Sequence, residues 1–118
     1  MAIPIAETRQ LLSTLFEGRI TESERILNTL KNKYPSESRY LKALEGLVLS
    51  YVNDDHDSLL FRVLTRKELW KRRAEIRMSM EEKARREGGE DGFFKAWSDI
   101  LGLLDKLPRP HKLEQVKD

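Results

Sequence analysis

The sequence predicts an all-α protein, a compact array of five or six helices built on antiparallel helical hairpins. Three observations carry this. Apolar residues recur at intervals of three and four along almost the whole chain, and no segment alternates with the period of a strand. The interruptions are Gly, Pro or Asn/Asp clusters lying between the periodic stretches. At 118 residues, with 39% hydrophobic and 36% charged, the chain is large enough for one modest core and too apolar to stay disordered.

The first helix is expected over about residues 5–17, with Leu11, Leu12, Leu15 and Phe16 inward. Gly18 ends it, because glycine takes the left-handed conformation at no steric cost. Thr21-Glu22-Ser23-Glu24 has the form of a capping box and should open a second helix, with Ile26, Leu27, Leu30 and Tyr34 on one face and Pro35 as its stop. Ser36 is placed to cap a third. There Tyr40, Leu41, Leu44, Leu47, Val48, Tyr51 and Val52 keep the i, i+3, i+4, i+7 rhythm of a core helix. Asn53-Asp54-Asp55-His56-Asp57 interrupts it, and residues 59–64 open a fourth helix, closing a second hairpin over 36–64. That helix should break or bend near Thr65, where Thr65-Arg66-Lys67-Glu68 repeats the capping-box form, before a basic segment reaching about Glu87. Residues 88–92 form a loop. A last helix carries Phe93, Trp97, Ile100, Leu101, Leu104 and Leu107 inward, until Pro108 and Pro110 close it. The expected organisation is one helical domain over 1–107 and a flexible polar tail over 108–118.

Gly18 at a helix turn, the small Ser23 early in the next helix and Pro35 at its end reproduce a known spacing. With the aromatic-bearing helix that follows, residues 6–64 resemble a tetratricopeptide-type helical hairpin. Leu30 departs from the small residue usual at its position. The resemblance implies a protein-interaction role rather than catalysis.

Several chemistries find no support in the sequence. Without cysteine there is no disulfide framework, zinc–thiolate site or thiol nucleophile, and a reducing compartment fits. Apolar runs reach only three residues, as in Leu47-Val48-Leu49, and the N-terminus lacks the basic flank and apolar stretch of a signal peptide, so no membrane association and a cytoplasmic location are expected. High charge without cysteine also suits a thermophilic source. The acidic 53–57 loop fails as a calcium loop. Counted from Asp55, its sixth and twelfth positions are Leu60 and Arg66; counted from Asn53 they are Ser58 and Leu64. It reads instead as a helix end followed by an acidic N-cap, with His56 solvated. There is no nucleophile elbow and no Gly-Lys-Ser/Thr phosphate loop. No catalytic residue, metal site or cofactor is expected.

One feature stands above background. Residues 62–86 contain ten Lys/Arg and four Glu, a local +6 in a chain whose net charge is +2. On a helical wheel Glu68, Glu75 and Glu82 form an acidic stripe. On the opposite side Arg66, Arg73 and Arg77 are interleaved with Leu69, Ile76, Met80 and Ala84, and Trp70 lies at the margin. Two readings follow. The apolar residues pack on the core while arginine stems cover them and pair with carboxylates, those of the 53–57 loop among them. Alternatively Arg66, Trp70, Arg73, Arg77 and Met80 form an exposed face that receives a partner. The expected function is a non-enzymatic helical protein-interaction module that binds another protein or a second copy of itself. The alternative is a nucleic-acid-associated protein that sets the basic helix 62–86 on phosphates.

Overall fold

Helix α1 (Ile5–Phe16) starts behind Pro4 and ends in a tight reversal. Gly18 has φ 87°, its amide bonds to the Leu15 carbonyl at 3.0 Å, and the Arg19 amide bonds to the Thr14 carbonyl at 3.1 Å. These paired bonds are the Schellman termination that only glycine enters cheaply. The reversal is so short that α2 (Ile20–Lys33) begins at once. Thr21 therefore lies inside its first turn and caps nothing, while the Ser23 hydroxyl donates to the Ile20 carbonyl at 2.7 Å. Pro35 follows the end of α2 as expected. At α3 (Ser38–Val52) Glu37 rather than Ser36 holds the cap position, with no side-chain cap bond. Asp54 takes a left-handed φ of 56° in the loop beyond. Ser58, not one of the acidic residues, accepts the Phe61 amide at 3.4 Å to start α4 (Leu59–Thr65).

The computed structural model describes residues 3–86 and 92–111. Among these there are seven α-helices and no strand. The number exceeds five or six because the basic stretch breaks twice. At the first break the Thr65 hydroxyl donates back to the Phe61 carbonyl at 2.6 Å instead of forming the expected capping box, and Arg66 is extended (φ −102°, ψ 117°). Helix α5 (Lys67–Lys71) follows, and at Arg72 the chain loosens again, its amide shared between the Glu68 and Leu69 carbonyls at 3.2 and 3.1 Å. Helix α6 (Arg73–Arg86) runs on from there. The expected loop lies outside the described residues except for Gly92, which begins α7 (Gly92–Leu103); a 3-10 turn (Leu104–Lys106) ends it.

Helices α6 and α7 are antiparallel neighbours. Lys83 lies by Phe94, Glu81 by Ser98, Arg77 by Gly102 and Arg73 by Asp105, so one number falls as the other rises. Helix α7 also packs on α3, and this pairing, rather than the expected hairpin of α3 with α4, closes the core. The physical reason is length. Helix α4 has seven residues, whereas α7 offers Ala96, Ile100, Leu101 and Leu103 to the buried faces of α1 and α3. Gly92 makes the close approach possible: a Cβ there would stand 2.8 Å from the Tyr40 amide nitrogen. Phe93, expected inward, keeps 37% of its surface exposed and meets Phe94 edge-on.

A polar tie fixes the register of these layers. Tyr40 donates its hydroxyl proton to Asp99 at 2.7 Å and accepts from Thr8 at 2.8 Å, and Lys95 donates to the other Asp99 oxygen at 2.6 Å. Thr8, Tyr40 and Asp99 are all buried, so each supplies the partner the others need. Burial, reinforced by Asp99, pushes the Tyr40 hydroxyl above its ordinary ionisation range. The packing also continues past the boundary expected at 107: Pro110 is buried, and His111 Nδ1 is 2.7 Å from the Tyr51 hydroxyl. Residues 112–118 of the expected tail lie outside the described residues.

Two outcomes follow from this packing. Leu44 is fully buried at the centre of α3, so Leu44→Ala should cost about 2–5 kcal/mol in a denaturant titration. On the α1–α2 hairpin, the Tyr34 hydroxyl and then the Lys33 ammonium hold the Glu7 carboxyl below its ordinary value of 4.5. A carboxylate whose folded value is depressed stabilises the fold above its unfolded value, and that contribution is lost as pH falls through the folded one. Glu7→Gln should therefore lower stability at neutral pH and flatten the loss of stability on acidification below about pH 5, read as melting temperature against pH.

Candidate functional site

The break at Thr65–Arg66 has a structural consequence. It turns α5 away from α4 and opens a groove of about 550 Å³ between this corner and the end of α7. That volume is in the range of clefts that hold small ligands or the anchoring side chains of a peptide. Phe16, Leu64, Trp70, Leu104 and Leu107 supply an apolar lining. Thr65, Arg66 and Lys67 stand on one wall; Asp105, Pro108, Arg109 and Pro110 stand on the other. The far wall is pinned at two points, by the Tyr51–His111 bond and by the ion pair of Arg73 with Asp105 at 2.6 Å.

The structure divides the five residues that the wheel placed together. Arg66 and Trp70 line the groove, Arg66 exposed and Trp70 half-buried. Arg73 is engaged within the chain. Its guanidinium lies 4.2 Å from the Trp70 ring centroid, donates to the Trp70 carbonyl at 2.7 Å and pairs with Asp105, which takes the role expected of the 53–57 carboxylates. Arg77 lies over Gly102 of α7 and pairs with Glu81 at 3.5 Å, and Met80 is half-buried against the core. A mixed Arg/apolar stripe thus serves two purposes: its first turn borders an opening, and the rest binds α6 to α7. Along α6, Arg86 pairs with Glu82 at 2.8 Å and Arg77 with Glu81, each one turn apart. Arg72, where the backbone breaks, reaches Glu75 at 3.0 Å.

Sequence reasoning missed the far wall. Leu104 is buried in the core as expected and also lines the groove, whereas Pro108-Arg109-Pro110, expected to stop the helix and begin a flexible tail, forms the far wall. No local pattern signals that residues near 108 return to residues near 66.

His56 is exposed, with its ring 5.2 Å from Phe61. Among the described residues no group of three or more His, Asp or Glu is arranged to hold a metal ion, and no helix is long and apolar enough to cross a membrane. Comparison with protein-family models, curated proteins and solved structures finds no match to this chain.

Arg73 is the bolt of the groove. Arg73→Ala removes a cation–π contact and a partly exposed ion pair, so the expected loss is about 1–2 kcal/mol. In a Trp97→Phe background, where Trp70 is the sole indole, the same substitution should shift its fluorescence emission to longer wavelength.

Proposed function

We propose that this chain is a non-enzymatic helical interaction module whose groove between α4–α5 and the end of α7 receives a segment of another protein. One observation carries the reading: an open apolar groove that contains Trp70 and is bordered by arginines. Tryptophan and arginine are the side chains most often found where binding energy concentrates. The tetratricopeptide-type resemblance of residues 6–64 points the same way. The lack of cysteine favours work in a reducing compartment such as the cytoplasm.

The nucleic-acid reading draws less support. Phosphate binding rests on cations free to replace counterions. In the basic stretch Arg72, Arg73, Arg77 and Arg86 are each already paired with a carboxylate. The overall charge of +2 is small for a polyanion binder.

A photo-crosslinking amino acid at Lys67, on the groove wall, tests the proposal when the chain is expressed in its native cells. The control position is Met78, 66% exposed on α6. A discrete adduct from position 67 that is absent from position 78 is the expected result, and an adduct of twice the chain mass would identify the occupant as a second copy. Equal labelling from both positions, or none from 67, removes the groove as a docking site.

A further inference from the structure

We infer that the occupant of this groove is an acidic peptide segment carrying apolar anchors, whose carboxylates are read by Arg66, Lys67 and Arg109. The inference rests on the interaction reading above and specifies its partner. Arg66 and Lys67 come from one wall and Arg109 from the other; all three side chains are exposed, and none has a carboxylate partner among the described residues. The lining holds one acid, Asp105, and it is already committed to Arg73 at 2.6 Å. The arginines immediately beyond, Arg72, Arg73 and Arg77, all have intramolecular carboxylates. Unneutralised cations are therefore concentrated at the mouth of the apolar groove.

The chemistry of the complement follows. Guanidinium groups bind carboxylates through two parallel hydrogen bonds, and such pairs strengthen as an apolar surface beside them is covered. Arg109 is also well prepared for the task. It stands between Pro108 and the buried Pro110, so its backbone has little freedom left to lose on binding. The floor of Phe16, Leu64, Leu104 and Leu107 asks for aliphatic or aromatic side chains, which an acidic peptide with apolar anchors supplies. A nucleic acid fits less well. Base stacking needs an open aromatic face, and one face of Trp70, the aromatic ring on the α5 wall, is taken by Arg73 4.2 Å from its centroid.

The experiment uses the purified chain as bait for a phage-displayed library of random dodecapeptides. Enriched sequences are synthesised, their affinity is measured by fluorescence anisotropy, and the site is read from the indole N–H resonances of Trp70 and Trp97. The expected result is enrichment of Asp and Glu together with Leu, Ile, Phe or Trp, binding that moves the Trp70 resonance, and loss of affinity by roughly tenfold or more in the triple variant Arg66→Glu, Lys67→Glu, Arg109→Glu. These positions are exposed, and circular dichroism confirms that the variant stays helical. Neutral or basic apolar peptides that move Trp70 and ignore the triple variant would overturn the inference while leaving the interaction reading in place. Failure of any peptide to move Trp70 would overturn both. A single-stranded DNA oligonucleotide that binds at least as tightly, and with the same sensitivity to the triple variant, would overturn it in favour of phosphate recognition.

Discussion

The groove depends on a column of rings centred on the buried Tyr51. Phe16 from α1 stacks on it at 5.6 Å and Phe61 from α4 at 5.8 Å, and the half-buried His111 meets it tilted at 5.7 Å, with a hydrogen bond to its hydroxyl. Aromatic pairs of this kind contribute about 0.5–1.5 kcal/mol each beyond their buried area. Their placement matters more than their energy. Phe16 is itself part of the groove lining. The Phe61 carbonyl receives the Thr65 hydroxyl at the break that forms one wall, and His111 follows the Pro108-Arg109-Pro110 stretch of the other. One fully buried tyrosine thus sets the spacing between two walls far apart in the sequence.

The parts of this structure legible in the sequence are those decided locally. Helical periodicity placed α1 and α3 to within a residue or two, Gly18 ended α1 through its positive φ, and the break near Thr65 falls where a cap-forming pattern interrupts the apolar rhythm. The capping boxes themselves did not form. At Thr21 the reversal at Gly18 had already started the helix, and at Thr65 the hydroxyl bonds back to the Phe61 carbonyl. The pairing of α3 with α7 was not legible, because it is decided by which helix offers the larger apolar face, and that comparison spans the whole chain.

Arginine was the hardest residue to read. A helical wheel places Arg73 and Arg77 among apolar residues, and that pattern suits both an exposed docking face and an internal seam. The seam is what forms, because the apolar stem of arginine lies along a neighbouring helix while its head reaches a carboxylate near the surface. Asp99 shows the converse. It looks like an ordinary polar residue on α7, yet it is buried, and a tyrosine far away in sequence makes that burial tolerable. In both cases the decisive partner lies in another element, so a local pattern cannot separate the alternatives.

Helix α6 contains no buried residue, although it runs antiparallel to α7. Protein segments with so little apolar surface at stake open and reclose many times before the whole molecule unfolds. The α6 amides should therefore exchange with solvent through such excursions, while those of α3 wait for global unfolding. Arg73 lies at the root of this detachable arm and also grips Trp70 and Asp105 at the groove. Each opening that reaches Arg73 loosens the groove, and any molecule that tightens the groove must, by thermodynamic reciprocity, slow the breathing of an arm it never touches.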